Sequence, residues 1–379
     1  MSEDEKNWAA VIVSAGNSSR MGGYPKAKLR IGQESFIERE VSVLRAAGVE
    51  DIVVVLGKHR PLIEDLLEHL SVTMVENKYP ERGMFESVRL GLASLEARAD
   101  GFFIHPVDLP LLEVDTLENM QELFSEEKLP CTAPSINGRR GHPPFFSEEL
   151  REELLRFSGE GGLRAFQNQY LERTAWYCCN KEELLFDVDD GDDYQSLLQE
   201  WPEKCRGPEI PEKERRSFID HFSAQDKRLE HGRKVAKLAM DLYHRLMESR
   251  IDKSALPQAN HLETAALLHD CAKGLKGHDV EASREARRRN WHSVAAMMGS
   301  HMNIFLTPND PIDGRQILYL ADKACKGDEV VGIEKNFSKS LHRWKDNEGA
   351  RLSIMKRIDD AKRILSRFEE ILDPLRGLQ

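Results

Sequence analysis

Six cysteines, at positions 131, 178, 179, 205, 271 and 325, are scattered without a single CxxC pair. That spacing indicates neither a zinc site nor a disulfide framework, so free thiols in a reducing compartment are expected. No apolar run approaches the ~20 residues that a membrane-spanning helix needs, and the acidic start MSEDEKNW is unlike a signal peptide. Together these absences predict a cytoplasmic protein with no membrane partner. Positive charge is also in the minority: 54 Lys and Arg face 65 Asp and Glu, a formal net charge of -11. Broad nucleic-acid binding is therefore not expected, although local basic pockets are compatible with that balance. What is present is 40% hydrophobic and 31% charged residues in a chain of 379. This is the profile of a soluble globular protein, long enough for two domains.

The first half is organised around residues 11–26, VIVSAGNSSRMGGYPK. The apolar run 8–13 reads as a buried strand that breaks into a loop of Gly, Ser and Asn carrying Arg20 and ending at Lys26. Glycines let the backbone approach a ligand, and consecutive N–H groups can cradle phosphate. Arg20 and Lys26 add positive charge where a nucleoside triphosphate develops negative charge on losing pyrophosphate. The loop has neither the GxxxxGK[ST] nor the GxGxxG pattern, and on residues alone a phosphate cradle and an ordinary turn are both open.

Downstream, Ile37, Val41 and Leu44 recur at helical spacing, Gly48 stops that helix, and residues 52–56 read as a strand. Leu62, Leu66 and Leu70 mark the next helix and residues 72–75 the next strand. This alternation predicts a mostly parallel sheet wrapped by helices, with ligands beyond the carboxyl ends of the strands. Gly83-Met84 opens a helix faced by Val88, Leu92 and Leu95, and is either an anion-binding start or a plain cap. After the strand 102–105, Asp108 sits in a turn stiffened by Pro110, placed to hold magnesium or to cap a helix.

SAGNSSRMGGYPK resembles the signature loop of the MobA-like nucleotidyltransferases, especially their molybdenum-cofactor cytidylyltransferase branch. The resemblance implies a Rossmann-like, mostly parallel α/β domain of the nucleotide-diphospho-sugar transferase type. It also implies transfer of a nucleoside monophosphate to a phosphorylated small-molecule acceptor such as molybdopterin, with release of pyrophosphate. Carried over by motif, the nucleotide contacts are Ala15, Gly16, Ser18, Ser19, Arg20, Met21, Gly22, Lys26, Asn77, Gly83, Met84 and Ser87. Arg20, Lys26 and Asp108 take catalytic roles. Magnesium falls to Asp108 and to Asp189 of FDVDDGDDY, which resembles the family's closing motif. The acceptor side matches Gly141, His142 and Pro143, with Arg164 of GEGGLR near the acceptor phosphate. Ala15-Gly16 matches cytidine users, where guanosine users carry Gly-Gly, so CTP is expected ahead of GTP or another NTP. Departures from the pattern are Glu86 in place of a small residue, His105-Pro106-Val107 in place of a Gly, and Asp190-Gly191 in place of Thr-Pro.

Residues 200–216, EWPEKCRGPEIPEKERR, are charged, hold three prolines and show no apolar periodicity, which reads as a connection between domains 1–205 and 206–379. Beyond it the patterns are helical, with Val235, Leu238, Ala239 and Leu242 on one face and Leu262, Ala265, Ala266 and Leu268 on another. Against them stand His231, His269-Asp270, His278, His301 and Asp322, a mixture that suits iron, manganese, zinc or related divalent ions. Each histidine alone reads as surface or core. Their order, with HGRKVAKLA, AALLHDCAKG and LYLADKACKG, resembles the HD superfamily of metal-dependent phosphohydrolases, an all-α domain. Its small diadenosine-tetraphosphate hydrolases are the nearest pattern.

The resemblance makes His231, His269, Asp270 and Asp322 ligands of a first metal and puts Lys273 near substrate phosphate. His278 and His301 would serve a second ion, His292 competing with His278. One or two divalent transition metals are thus expected, iron or manganese favoured. His221, His261 and His342 read as structural or exposed. Beyond residue 338, Leu352, Met355, Ile358 and Ala361 are expected to form a packing stripe supporting the domain or a homodimer. The whole reads as a bifunctional transferase and phosphohydrolase. The rival readings are a small phosphorylated alcohol or sugar phosphate as acceptor, and an HD domain that senses nucleotide or metal.

Overall fold

Trp8–Ser14 forms β1, buried at every residue from Trp8 to Val13, because it lies inside the sheet with β4 on one side and β6 on the other. A strand covered on both faces reads as a continuous apolar run rather than an alternating one. The computed structural model describes residues 6–96, 99–307, 310–372, 375 and 378. The chain forms two units, Met1–Cys205 and Arg206–Gln379.

In the first unit β1 is followed by the short pair β2 (Arg30–Ile31) and β3 (Glu34–Ser35), then α1 (Phe36–Ala46), β4 (Val49–Leu56), α2 (Arg60–His69), β5 (Thr73–Glu76) and α3 (Met84–Ala93). Next come β6 (Gly101–Pro106), α4 (Val114–Glu127), β7 (Cys131–Ile136), β8 (Arg139–Arg140), β9 (Phe145–Ser147), α5 (Arg151–Arg156), α6 (Gly162–Asn168), β10 (Thr174–Cys179) and α7 (Gly191–Glu200). The main sheet runs β10-β7-β9-β6-β1-β4-β5, with β8 paired to β7. Its pairs are parallel except those made by β8 and β9, so the mostly parallel α/β expectation holds. Ser35 and Glu38 start α1 with a reciprocal capping box.

In the second unit α9 (Glu212–His221), α10 (Asp226–Glu248), α11 (Ala259–Leu268), α12 (His278–Arg288), α13 (His292–Ser300) and α14 (Gly314–Ala324) surround an apolar core. A two-residue hairpin, β11 (Cys325–Lys326) and β12 (Glu329–Val330), separates them from α15 (Ile333–Arg343) and α16 (Glu348–Glu369). The unit is helical, as expected. Gly232 lets α10 and α11 meet closely, since a Cβ there would stand 2.1 Å from the Leu267 carbonyl oxygen.

Three local expectations are corrected. Residues 200–216 are not plain linker: α8 (Pro202–Arg206) and the start of α9 lie within them, and Cys205 and Ile210 are buried. Pro202 opens α8 and Pro211 caps α9, positions where a missing N–H costs nothing. On α2 the core face is Ile63, Leu66 and Leu67, and Leu62 is 57% exposed. On α16 the inward row is Ile354, Ala361, Ile364, Leu365 and Phe368, with Ile358 partly buried against it. Leu352 and Met355 point off that row, 55% and 43% exposed, because the helical period rotates them away from it.

Candidate active sites

In the first unit the carboxyl ends of β1, β4 and β6 surround a cavity of about 300 Å³. Its floor is the loop after β1. Ser18, Gly22 and Gly23 take left-handed backbone angles there, and N–H groups of Met21 and Gly23 both donate to the Ser18 carbonyl at 3.0 Å. Gly57 permits the close pass behind this loop, since a Cβ would lie 2.5 Å from the Ala15 carbonyl oxygen.

Of the nucleotide residues carried over by motif, Ala15, Gly16, Ser18, Ser19, Arg20, Lys26, Gly83, Met84 and Ser87 line this cavity, with Asp108 and Asp189. Met21, Gly22 and Asn77 are not among its lining residues. Asn77 is buried, its Nδ2 donating to Ser87 Oγ at 2.9 Å and its Oδ1 accepting from the Tyr79 N–H at 2.8 Å. Its amide therefore holds Ser87 and the turn before α3 instead of facing the cavity. Gly141, His142, Pro143 and Arg164 also lie outside the lining. Burial pushes the His142 imidazole below its usual range, and Arg164 is exposed at the start of α6. The sequence reading missed His59, Ile63 and Pro80, which do line the cavity. His59 Nε2 donates to the Asn17 carbonyl at 3.2 Å. Its position just beyond the end of β4 was the signal available.

Charge is concentrated at one point of the wall. Lys26 Nζ lies 3.1 Å from Asp108 Oδ2 and 2.8 Å from Asp189 Oδ1, and Arg20 pairs with the other Asp189 oxygen. The Val188 N–H donates to the Asp108 carbonyl at 2.9 Å, which sets residues 187–189 beside the Asp108 turn. Oxygens of Asp108, Asp187 and Asp189 lie within 4.8 Å of one another. The Lys26 and Arg20 bonds hold Asp189 below the usual carboxylate range. Asp187 is instead pushed up to about 6 by partial burial and by the Asp108 and Asp189 charges. Three converging carboxylates are hard oxygen donors, the type magnesium prefers. Asp187 does not stand out in the sequence, because five acids within residues 187–193 also read as a solvated turn.

In the second unit three of the histidines are oriented by backbone carbonyls. His269 Nδ1 bonds the Ala266 carbonyl at 2.8 Å, His301 Nδ1 that of Met298 at 2.6 Å, and His231 Nδ1 that of Gly327 at 2.8 Å. A carbonyl only accepts, so each Nδ1 carries hydrogen and each Nε2 faces inward. Nε2 of His231 and of His269 stand 3.2 and 3.4 Å from Asp322 Oδ1. Those of His278 and His301 stand 3.5 and 3.8 Å from Asp270 Oδ1. Nε2 of His269, His278 and His301 are buried and make no hydrogen bond among the described residues. Buried nitrogens converging on two carboxylates, with no other partner, fit a divalent transition-metal site.

Burial alone would raise Asp270 and Asp322. The surrounding histidines, with Lys273 beside the first and Lys323 beside the second, hold both far below the usual range. Lys273 pairs with Asp270 Oδ2. Lys323, which the sequence reading did not single out, is buried and donates to Asp322 Oδ2 at 2.6 Å and to the His301 carbonyl at 2.7 Å. His292 instead bonds Arg287 at 3.3 Å. His261 is buried against the Pro208 carbonyl at 2.8 Å, while His221 and His342 are exposed.

Residues 10–174 match the family model of the MobA-like NTP transferase domain, and residues 228–326 that of the HD domain. The chain joins a MobA-like NTP transferase domain to an HD domain. The transferase half is 25% identical over 151 residues to the bifunctional protein GlmU of Syntrophomonas wolfei, covering 38% of this chain and 32% of that one. The chain thus spans about a third of that relative's length. It is 26% identical over 194 residues to the nicotine blue oxidoreductase of Paenarthrobacter nicotinovorans, covering 50% of this chain and 95% of the other. Among solved structures, Rv0371c from Mycobacterium tuberculosis aligns with TM-score 0.44 and 25% identity over 51% of this chain and 98% of its own. No helix among the described residues is long and apolar enough to cross a membrane.

Proposed function

We propose that the MobA-like domain, residues 1–205, transfers a nucleoside monophosphate from a nucleoside triphosphate, CTP before others, to a phosphorylated small molecule. Molybdopterin is the acceptor the family resemblance favours. The observation that carries this reading is Lys26 set between Asp108 and Asp189 at the edge of the Gly-rich loop. An acceptor phosphate oxygen attacks the α-phosphorus in line. A new P–O bond forms as the α–β bridging bond breaks, and pyrophosphate leaves with that electron pair. The loop N–H groups hold the phosphates, Lys26 and Arg20 balance charge gathering on the leaving pyrophosphate, and no covalent nucleophile is required. Asp108, Asp187 and Asp189 would hold magnesium, which supplies further neutralisation of the triphosphate when bound.

The HD domain, residues 206–379, hydrolyses a phosphoester or nucleotide in this reading. His231, His269, Asp270 and Asp322 would hold a first divalent ion, and His278 and His301 with Asp270 a second, iron or manganese in preference to magnesium because four of these six residues are histidines. Such ions supply Lewis acidity when bound. The protein's own contribution is orientation: backbone carbonyls fix the rings, Lys323 fixes Asp322, and Lys273 brings positive charge to the mouth of the site for a substrate phosphate. The test is incubation of the full chain with each nucleoside triphosphate and a panel of phosphorylated acceptors, with pyrophosphate as readout. Release that needs both CTP and a phosphorylated acceptor supports the reading, and no release with any pair contradicts it.

A further inference from the structure

His105 and Glu40 are buried acid–base groups, each 1% exposed, that the proposed transfer does not use. His105 lies in β6, beside Ile12 of β1, three residues before Asp108. Its Nε2 is 3.1 Å from the Leu109 carbonyl oxygen, which only accepts, so Nε2 carries the hydrogen. Its Nδ1 is buried without a hydrogen-bond partner among the described residues. Burial, with His142 nearby, pushes the imidazole down to about 3, leaving a neutral ring with one N–H to give. Glu40, from α1, places Oε1 4.0 Å from the same Nε2. Neither of its oxygens has a hydrogen-bond partner, and burial, reinforced by the Asp108 charge, pushes its carboxyl well above the usual range. The imidazole is therefore committed to the Leu109 carbonyl.

That bond closes the segment carrying Asp108. Lys26 Nζ holds the Asp108 carboxylate itself at 3.1 Å, and the segment's backbone is held by main-chain bonds: Val107 N–H to the Val13 carbonyl at 3.1 Å, Leu109 N–H to that of Pro106 at 3.3 Å, and Val188 N–H to that of Asp108 at 2.9 Å. His105 supplies a side-chain tie across the turn and fixes where its carboxylate stands relative to Asp187 and Asp189. We propose that His105 is a positioning residue for Asp108, holding the turn so that the carboxylates of Asp108, Asp187 and Asp189 meet as one metal site. The proposal rests on the reading of Asp108 as a metal carboxylate. A histidine that merely fills space would leave the metal affinity of that site unchanged.

The test is a manganese titration of the full chain, free ion being read by electron paramagnetic resonance, in the presence of CTP. The ions lost in Asp108→Ala define the transferase site, and the remaining ones, at the HD domain, report an intact fold. His105→Leu keeps apolar volume but removes the N–H. It should weaken the ions defined by Asp108→Ala by about 10-fold or more, the usual effect of losing an outer-shell partner. His105→Gln, whose amide nitrogen reaches the Nε2 position, should restore most of the affinity. Should His105→Leu not fold, His105→Asn takes its place with the same expected loss, because its amide reaches only the Nδ1 position. Wild-type affinity in the leucine or asparagine variant overturns the proposal, as does an equal fall in the glutamine variant. If Asp108→Ala loses no manganese, the metal-carboxylate reading itself fails and the proposal falls with it.

Discussion

The ammonium of Lys26 lies 2.8 Å from Oδ1 of Asp189, across 163 residues of sequence. Burial disfavours its charge, but the bonds to Asp189 and Asp108 outweigh this and raise its affinity for the proton. In the proposed transfer, this fixes a permanent cation where the leaving pyrophosphate would gather charge. Lys26→Met should lower the rate of pyrophosphate release by about 10²–10³-fold, the range for loss of one preorganised donor. Phosphoester hydrolysis by the same preparation should be unchanged. A rate within a few-fold of wild type at saturating nucleotide would remove Lys26 from the transfer step.

Asn77 donates from Nδ2 to Ser87 Oγ and accepts the Tyr79 N–H at Oδ1. Asn77→Ala would leave the buried Ser87 hydroxyl and a turn N–H short of a partner, at a cost of about 1–3 kcal/mol. Urea unfolding followed by circular dichroism measures it. A midpoint equal to wild type would contradict the supporting role assigned here.

Ala15 is 3% exposed and lines the cavity proposed to take the nucleotide. Its methyl group is expected to crowd a purine more than a pyrimidine, by about 1–3 kcal/mol. Calorimetry with magnesium should therefore give tighter binding of CTP than of GTP. Equal or tighter GTP binding would sink the cytidine assignment.

Much of this was legible in the sequence, for reasons that particular residues make plain. The β1 run and the following Gly-rich loop announce themselves because a doubly covered strand has no polar positions and a tight loop with left-handed residues favours glycine. Asp108 and Asp189 were found through short motifs. Asp187 was not, because only folding shows that residues 187–189 lie along the Asp108 turn, tied by the Val188 N–H. His59 and Ile63 escaped for a similar reason: the cavity wall from α2 has no motif, only a place in the sheet order. In the second unit the His and Asp identities were visible, but not their orientation. Which nitrogen faces inward is decided by backbone carbonyls such as those of Ala266 and Met298, which no sequence pattern records. Lys323 reads as a surface lysine on α14 until its bonds to Asp322 and the His301 carbonyl are seen. On α16 the row through Leu352 and Met355 is also apolar, but the neighbouring row, through Ile354 and Phe368, is the one the core covers.

Metal content separates the two readings of the HD site. The buried, unpartnered Nε2 atoms of His269, His278 and His301 are enough, with Asp270 and Asp322, to serve a pair of ions. Elemental analysis of anaerobically purified protein should give about two transition-metal ions per chain. In His301→Ala that content should fall toward one. A wild-type content of one or less, unchanged by added iron or manganese, would leave a single-ion site.

The most direct test of the central claim, that two separate chemistries reside in one chain, is a paired assay of Asp108→Ala and Asp270→Ala. Each folded variant is assayed for nucleotide-dependent pyrophosphate release and for hydrolysis of a phosphoester. Asp108→Ala should lose the first activity by orders of magnitude and keep the second, and Asp270→Ala should do the reverse. If either substitution abolishes both activities, or leaves both intact, the two-site account is wrong.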